Sequence, residues 1–154
     1  MTKDKIPLTE HGHLDATDNV EVVAHWFQNE FPGAEVGVHA GRSGIVVADL
    51  DRKNGKDGYV SLEDAWLEVP DTYEYETANN GKHHVYAAPE GVTLAPAADY
   101  RGMIGVDRRG GSSWVLWHGD APDSRTAFTP APEWLCDVAT PRTGAAFEGG
   151  LDDW

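Results

Sequence analysis

Cysteine is nearly absent: the 154-residue chain has one, Cys136. That excludes an internal disulfide framework and a cysteine-based zinc site. No apolar run approaches the ~18 residues needed to span a membrane. The opening MTKDKIPLTEHG lacks the apolar centre of a signal peptide. These absences point to an intracellular, cytoplasmic chain without a membrane partner. Basic residues are also scarce, 12 against 26 acids, and the net charge is -14. Such a charge argues against non-specific attraction to a polyanion, but salt screens charges beyond roughly 8–10 Å, so a local site stays open. No Gly-x-x-x-x-Gly-Lys-Ser/Thr occurs, which excludes a P-loop, and no Gly-x-Gly-x-x-Gly opens a helix. There are no internal repeats.

The chain does have the makings of a core. Hydrophobic residues are 40% of it, six of them Trp, and its length suits one domain. Eight of the twelve basic residues lie between Arg42 and Arg109. This leaves room for a basic-lined site inside an acidic shell.

The stretch from Gly44 to Gly58 organises the rest. Ile45-Val46-Val47-Ala48 reads as a strand buried on both faces. It runs into Asp49-Leu50-Asp51, and alternation puts both carboxylates on one side. Two such groups repel unless a cation lies between them, and hard divalent ions prefer oxygen donors. A strand end before a turn is often rich in Asp for local reasons, so the pair needs a third ligand to count. An EF-hand is excluded, because registering on Gly58 puts Lys53 and Gly55 at the first and third ligand positions.

Taken in order, the chain reads as a helix from Asp18 to Glu30, capped by Asp18, with Val20, Val23, Ala24 and Phe27 on one face. A short strand follows at Val36–Val38, then the central strand, and then a helix from Ser61 to Leu67 capped by Ser61. Strands are expected at Thr72–Thr77, His83–Ala87, Met103–Asp107 and Trp114–Trp117. Asn79-Asn80-Gly81 should form a hairpin turn, and the last two strands should pair across Arg109–Ser112. The pattern predicts an α+β (mixed α/β) domain with one central cleft. It spans residues 1–136, with 137–154 a loosely ordered acidic tail.

Asp107, before a Gly-rich turn, is the third carboxylate candidate. Arg109 shares its face, so the two could instead form a salt bridge. Gly81-Lys82-His83 places donors at a strand mouth, and alternation sets His83 and His84 on opposite faces. Three acids, a His/Lys turn and an Arg suit phosphoryl or nucleotidyl transfer with paired metal ions.

These segments, in this order, resemble the N-terminal primase–polymerase domain of the archaeo-eukaryotic primase superfamily, of the type found in phage and plasmid replication proteins. The resemblance runs from about Lys5 to Leu135. It rests on Pro7–Thr17, on Trp26 in its helix, and on Ser43–Asp51 as the first acidic motif. Thr77–His83 is similar to a Thr-x-Ser-Gly-Gly-x-His motif, Gly105–Gly110 to Asp-x-Arg-Gly, and Pro132–Leu135 to a closing Pro-x-Trp-Leu. Asn79 and Asn80 replace Ser and Gly, and Trp117-His118 replaces Ala-Pro. The resemblance implies that Asp49, Asp51 and Asp107 bind two Mg²⁺ or Mn²⁺ ions and act in catalysis with His83. His83 would contact the nucleotide phosphates, with Lys82, Arg109 and Gly81 beside it. It implies a small αβ unit packed on an RRM-like unit, with the active site in the cleft. The partners implied are nucleoside triphosphates, a single-stranded DNA template and primer, and a downstream helical or helicase region, absent from this sequence, on which primer initiation would depend. Tyr86, Tyr100 and Trp114 are candidates for contact with the sugar. The competing readings are a non-catalytic nucleotide- or DNA-binding module of the same fold and an unrelated interaction domain.

Overall fold

The computed structural model describes residues 1–2, 5–77, 80–122 and 127–137. The expected tail, apart from Asp137, lies outside the described residues, as does Asn79 of the expected hairpin turn.

The strand β2, Ile45–Leu50, is the axis of the molecule, and all six of its residues are buried. It pairs antiparallel on both sides, with β4 (Lys82–Ala87) and with β5 (Val106–Arg109). The strand β3 (Tyr73–Glu76) joins the far edge of β4, so the large sheet runs β3-β4-β2-β5. A second, two-stranded sheet pairs β1 (Gly37–His39) with β6 (Trp114–Leu116). With the helices α1 (Val20–His25) and α2 (Gly58–Asp64), the described residues form an α+β fold, as the sequence pattern predicts.

Alternation along β2 feeds two cores. Val46, Ala48 and Leu50 pack with Leu62 of α2, Tyr86, Val106 and Leu135. Ile45 and Val47 pack on the other face with Ala40, Tyr75, Val85 and Val115, the last brought in by the small sheet. Arg108 is buried in the first core, with its guanidinium donating to the carbonyls of Ala95, Leu135 and Asp137 and to the Tyr100 hydroxyl. The bonds to Leu135 and Asp137 tie the C-terminal turn Glu133–Cys136 and its cap to the sheet.

Four local expectations are corrected. Asn19, not Asp18, caps α1, because its side-chain oxygen accepts from the Glu21 and Val22 N–H groups at 3.0 and 3.2 Å. Val20 is then the first helical residue and 79% exposed, off the buried face. The helix continues as a wider π turn over Trp26–Glu30 and stops before Pro32. Likewise α2 starts at Gly58 with Asp57 as its cap, while Ser61 instead donates its hydroxyl to the Ile104 carbonyl at 2.6 Å. The fifth strand begins at Val106 rather than Met103. Finally, β6 pairs with β1 and not with β5. The outer edge of β5 is already used, since Arg108 and Ala97 exchange both backbone hydrogen bonds, and Gly110–Ser113 carries the chain to the other layer.

Three segments converge on the end of β2. Asp51 N–H donates to the Gly105 carbonyl and Gly58 N–H to the Asp51 carbonyl, both at 2.9 Å. Gly81 is buried beside the Leu50 carbonyl and the Asp51 Cα. A Cβ at Gly81 would overlap that carbonyl oxygen, which is backbone and cannot swing away. Gly81→Ala should therefore lower stability by roughly 1–3 kcal/mol, the range for overpacking. Urea unfolding followed by Trp fluorescence measures this, and an unchanged midpoint would show that the β3–β4 turn backs off without cost.

Candidate metal centre

The register of the large sheet builds a row of functional groups. Tyr75 on β3 stands opposite His83 on β4, His83 opposite Asp49 on β2, and Asp49 opposite Asp107 on β5. Laterally aligned residues in neighbouring strands share a face. The row thus projects from the same side as Val47 and Val85, toward the small sheet. Asp51, two residues beyond Asp49, reaches the same place from the end of β2. One carboxylate oxygen from each of Asp49, Asp51 and Asp107 lies within 4.8 Å of the others.

Asp49 is 5% exposed. Its Oδ2 is 3.4 Å from His83 Nε2 and 3.5 Å from an Arg109 nitrogen. Its Oδ1 is buried and has no hydrogen-bond partner among the described residues. A buried carboxylate oxygen with nothing to accept from is costly. Three carboxylates that converge, one of them carrying such an oxygen, fit a divalent cation of the Mg²⁺ or Mn²⁺ type. Asp107 Oδ1 is held by the Asp99 N–H at 2.8 Å, and Oδ2 faces Arg109 at 3.5 Å. The Asp107–Arg109 ion pair and the acid cluster therefore coexist, because one guanidinium serves both Asp49 and Asp107.

The electrostatics separate the acids. Burial works to raise the Asp49 pKa, but the hydrogen bond and charge of His83, then the charges of Arg109 and Lys5, bring it below the ordinary value. For Asp51, burial comes first and the Asp49 charge second, and the net effect raises its pKa. Asp51 is thus less content than Asp49 to be ionised without a cation.

Not every expected residue joins the cluster. Lys82 lies next to His83 on β4 and so faces the other way; its ammonium meets Glu74 at 2.9 Å. His84 also faces that side, between the Tyr59 hydroxyl at 2.7 Å and Glu74 at 3.0 Å. Gly81 contributes close packing behind Asp51. Tyr86 and Tyr100 are core residues of the opposite face, with hydroxyls donating to the Pro70 and Trp134 carbonyls. Trp114 lines a separate cavity of about 570 Å³ with Trp26, Phe27 and His39, which none of the three acids borders. Asp15, Asp18 and Glu35 line that cavity, but among the described residues it is Asp49, Asp51 and Asp107 whose oxygens come together, so the chemistry favours the acid site. Two supporting residues escaped the sequence reading. Asp99 holds Asp107 through its backbone N–H and accepts from the Gly105 N–H at 3.0 Å. Tyr75 meets His83 Nδ1 at 2.7 Å. The Tyr/Glu alternation marks Tyr75 as inward-facing, but only the strand register reveals what it touches.

A family model described as bifunctional DNA primase/polymerase, N-terminal, matches residues 1–142. No curated protein and no solved structure matches the chain.

The Asp51 shift has a sign that can be measured. A carboxyl whose folded pKa is raised adds stability only below its unfolded value of about 3.9 and loses it as pH rises through the folded value. At neutral pH the ionised group therefore costs stability. Asp51→Asn should raise the melting temperature in EDTA at pH 7. Added Mn²⁺ should raise that of the wild type and leave Asp49→Asn nearly unmoved. A melting temperature that falls in Asp51→Asn, or rises equally with Mn²⁺ in Asp49→Asn, contradicts the assignment of the cluster.

Proposed function

The chain belongs to the bifunctional DNA primase/polymerase N-terminal family, and on that premise we propose that residues 1–136 are a metal-dependent nucleotidyltransferase domain that extends a primer on a single-stranded DNA template. The observation that carries this reading is the partnerless buried Asp49 oxygen inside a three-carboxylate cluster. Asp49, Asp51 and Asp107 would hold two Mg²⁺ or Mn²⁺ ions. Bound there, such ions supply charge neutralisation at the triphosphate and lower the pKa of the attacking hydroxyl.

The protein's own groups have distinct tasks in this reading. His83 stands beside Asp49 with its Nε2 toward the cluster, placed to donate to a phosphate oxygen. Arg109 is more accessible, with a third of its side chain exposed. It can turn from the carboxylates to the triphosphate as substrate enters. The primer 3′-hydroxyl attacks the α-phosphorus, the bond to the bridging oxygen breaks, and pyrophosphate leaves. Lys82 takes no part from its present position, because Glu74 holds it on the opposite face. Support for the two-unit, RRM-like packing is the division into a four-stranded and a two-stranded sheet with the acids between them. No described helix is long and apolar enough to cross a membrane.

Primer extension with a labelled primer on a single-stranded template tests this directly. Extension is expected with Mg²⁺ or Mn²⁺ and should fall to the EDTA background in Asp49→Ala and in Asp107→Ala, each checked for folding by circular dichroism. Activity retained in either folded variant refutes the site. Nucleotide binding by calorimetry without extension under any metal would favour a non-catalytic binding module.

A further inference from the structure

Tyr75 is 7% exposed, and its hydroxyl makes two contacts. One is with the Leu116 carbonyl of β6 at 3.1 Å, the other with His83 Nδ1 at 2.7 Å. A phenol has one proton to give, and a carbonyl oxygen can only accept. The Tyr75 proton is therefore committed to Leu116, and the phenol oxygen must accept from His83. That requires a proton on His83 Nδ1, beside the one that Nε2 directs toward Asp49 Oδ2. Burial, and then the Asp49 charge, raise the Tyr75 pKa, so the hydroxyl keeps its proton. The ring stands edge-on to the imidazole, 5.0 Å between centroids and 66° between planes, and Trp117 packs against its other side at 5.0 Å. The Tyr75 side chain is thus fixed by the small sheet, and it fixes the histidine in turn.

We propose that Tyr75 is a positioning residue that locks the His83 ring, holding Nδ1–H and aiming Nε2 at the space beside Asp49 where the nucleotide phosphates enter. The inference rests on the reading of His83 as a phosphate contact. Freed of this clamp, the imidazole could rotate about its Cβ–Cγ bond and exchange its two nitrogens. The clamp also links the two sheets, because its anchor is a backbone carbonyl of the strand that covers the site. Losing the outer partner of a metal-ligating histidine typically costs about 10–100-fold, and the lower end of that scale is taken for this ring.

The test joins a spectroscopic and a kinetic arm. In the metal-free wild type, long-range ¹H–¹⁵N NMR of histidine-labelled protein, assigned with His83→Gln, should place a solvent-protected proton on His83 Nδ1. Tyr75→Phe should lose that protection. In primer extension, Tyr75→Phe should raise the nucleotide KM about tenfold, and it should add nothing further in a His83→Ala background. A wild-type His83 whose ring carries its proton on Nε2 alone overturns the proposal, as does protection that persists in Tyr75→Phe. An equal KM penalty for Tyr75→Phe in the His83→Ala background also overturns it, since a merely structural tyrosine would behave that way. If His83→Ala leaves KM unchanged, the phosphate role of His83 fails, and the NMR arm still decides whether Tyr75 sets the ring. If Tyr75→Phe does not fold, the wild-type spectrum alone decides.

Discussion

Asp49 carries its carboxylate in the middle of a four-stranded sheet, where water scarcely reaches it. Such a group would ordinarily return to its neutral form. Here the His83 imidazole on one neighbouring strand and the Arg109 guanidinium on the other keep it ionised. Much of the local architecture follows from meeting that demand. The central strand must be paired on both edges so that each neighbour can bring a partner. Arg109 must reach two carboxylates at once, and Asp107 is steadied by a backbone N–H as well as by that guanidinium. Even so, Asp49 Oδ1 has no partner among the described residues and Asp51 remains reluctant to ionise. The protein stores an electrostatic deficit that a divalent cation is suited to relieve.

The sheet keeps this deficit on one face. Adjacent residues with the same chemistry take different roles according to the side they face. Arg108 points into the core, 4% exposed, and spends its donors on backbone carbonyls. Arg109 points to the acids and stays partly exposed. His83 faces Asp49, while His84 is fixed between Tyr59 and Glu74. A register slip of one residue would exchange each pair and bury the wrong cation in each place. Glycines at the end of β2 let three segments close around Asp51 without side chains intervening, which holds the register where the chemistry needs it.

The parts of this arrangement visible in the sequence are those set by local periodicity. The apolar run before Asp49, the two-residue spacing to Asp51 and the opposition of His83 and His84 all follow from strand alternation, and all appear in the structure. Helix starts were less legible, because Asp18 and Asn19, or Asp57 and Ser61, are each chemically able to cap and only the backbone path selects between them. The pairing of β6 with β1 depends on residues about 75 positions apart, whereas turn chemistry near Gly110 points to a local hairpin. The competitor for the β5 edge, Ala97, lies in a segment with no strand pattern. Tyr86 and Tyr100 were assigned by residue type to a sugar site, although alternation from His83 already places Val85 on the functional side and Tyr86 on the other. Tyr75 and Asp99 act through register and through a backbone N–H, neither of which leaves a mark in sequence.

The overall charge of -14 is unfavourable for a polyanionic substrate until distance is considered. Screening confines each charge to roughly 8 Å at physiological salt, so a ligand at the acid cluster senses its surroundings and not the distant acidic surface. Within that neighbourhood Arg109 and His83 flank the acids, and the loop that leaves Asp51 presents exposed Arg52, Lys53 and Lys56. Two of these already have company, Arg52 over the Tyr59 ring and Lys56 near Asp99. Three carboxylates still outweigh what His83 and Arg109 bring directly to them. Attraction for the proposed triphosphate would therefore draw on the charge of the proposed metal as well, which would make cation and nucleotide binding mutually reinforcing. The acid excess elsewhere bears on solubility and self-repulsion, and it sets no limit on what this face can hold.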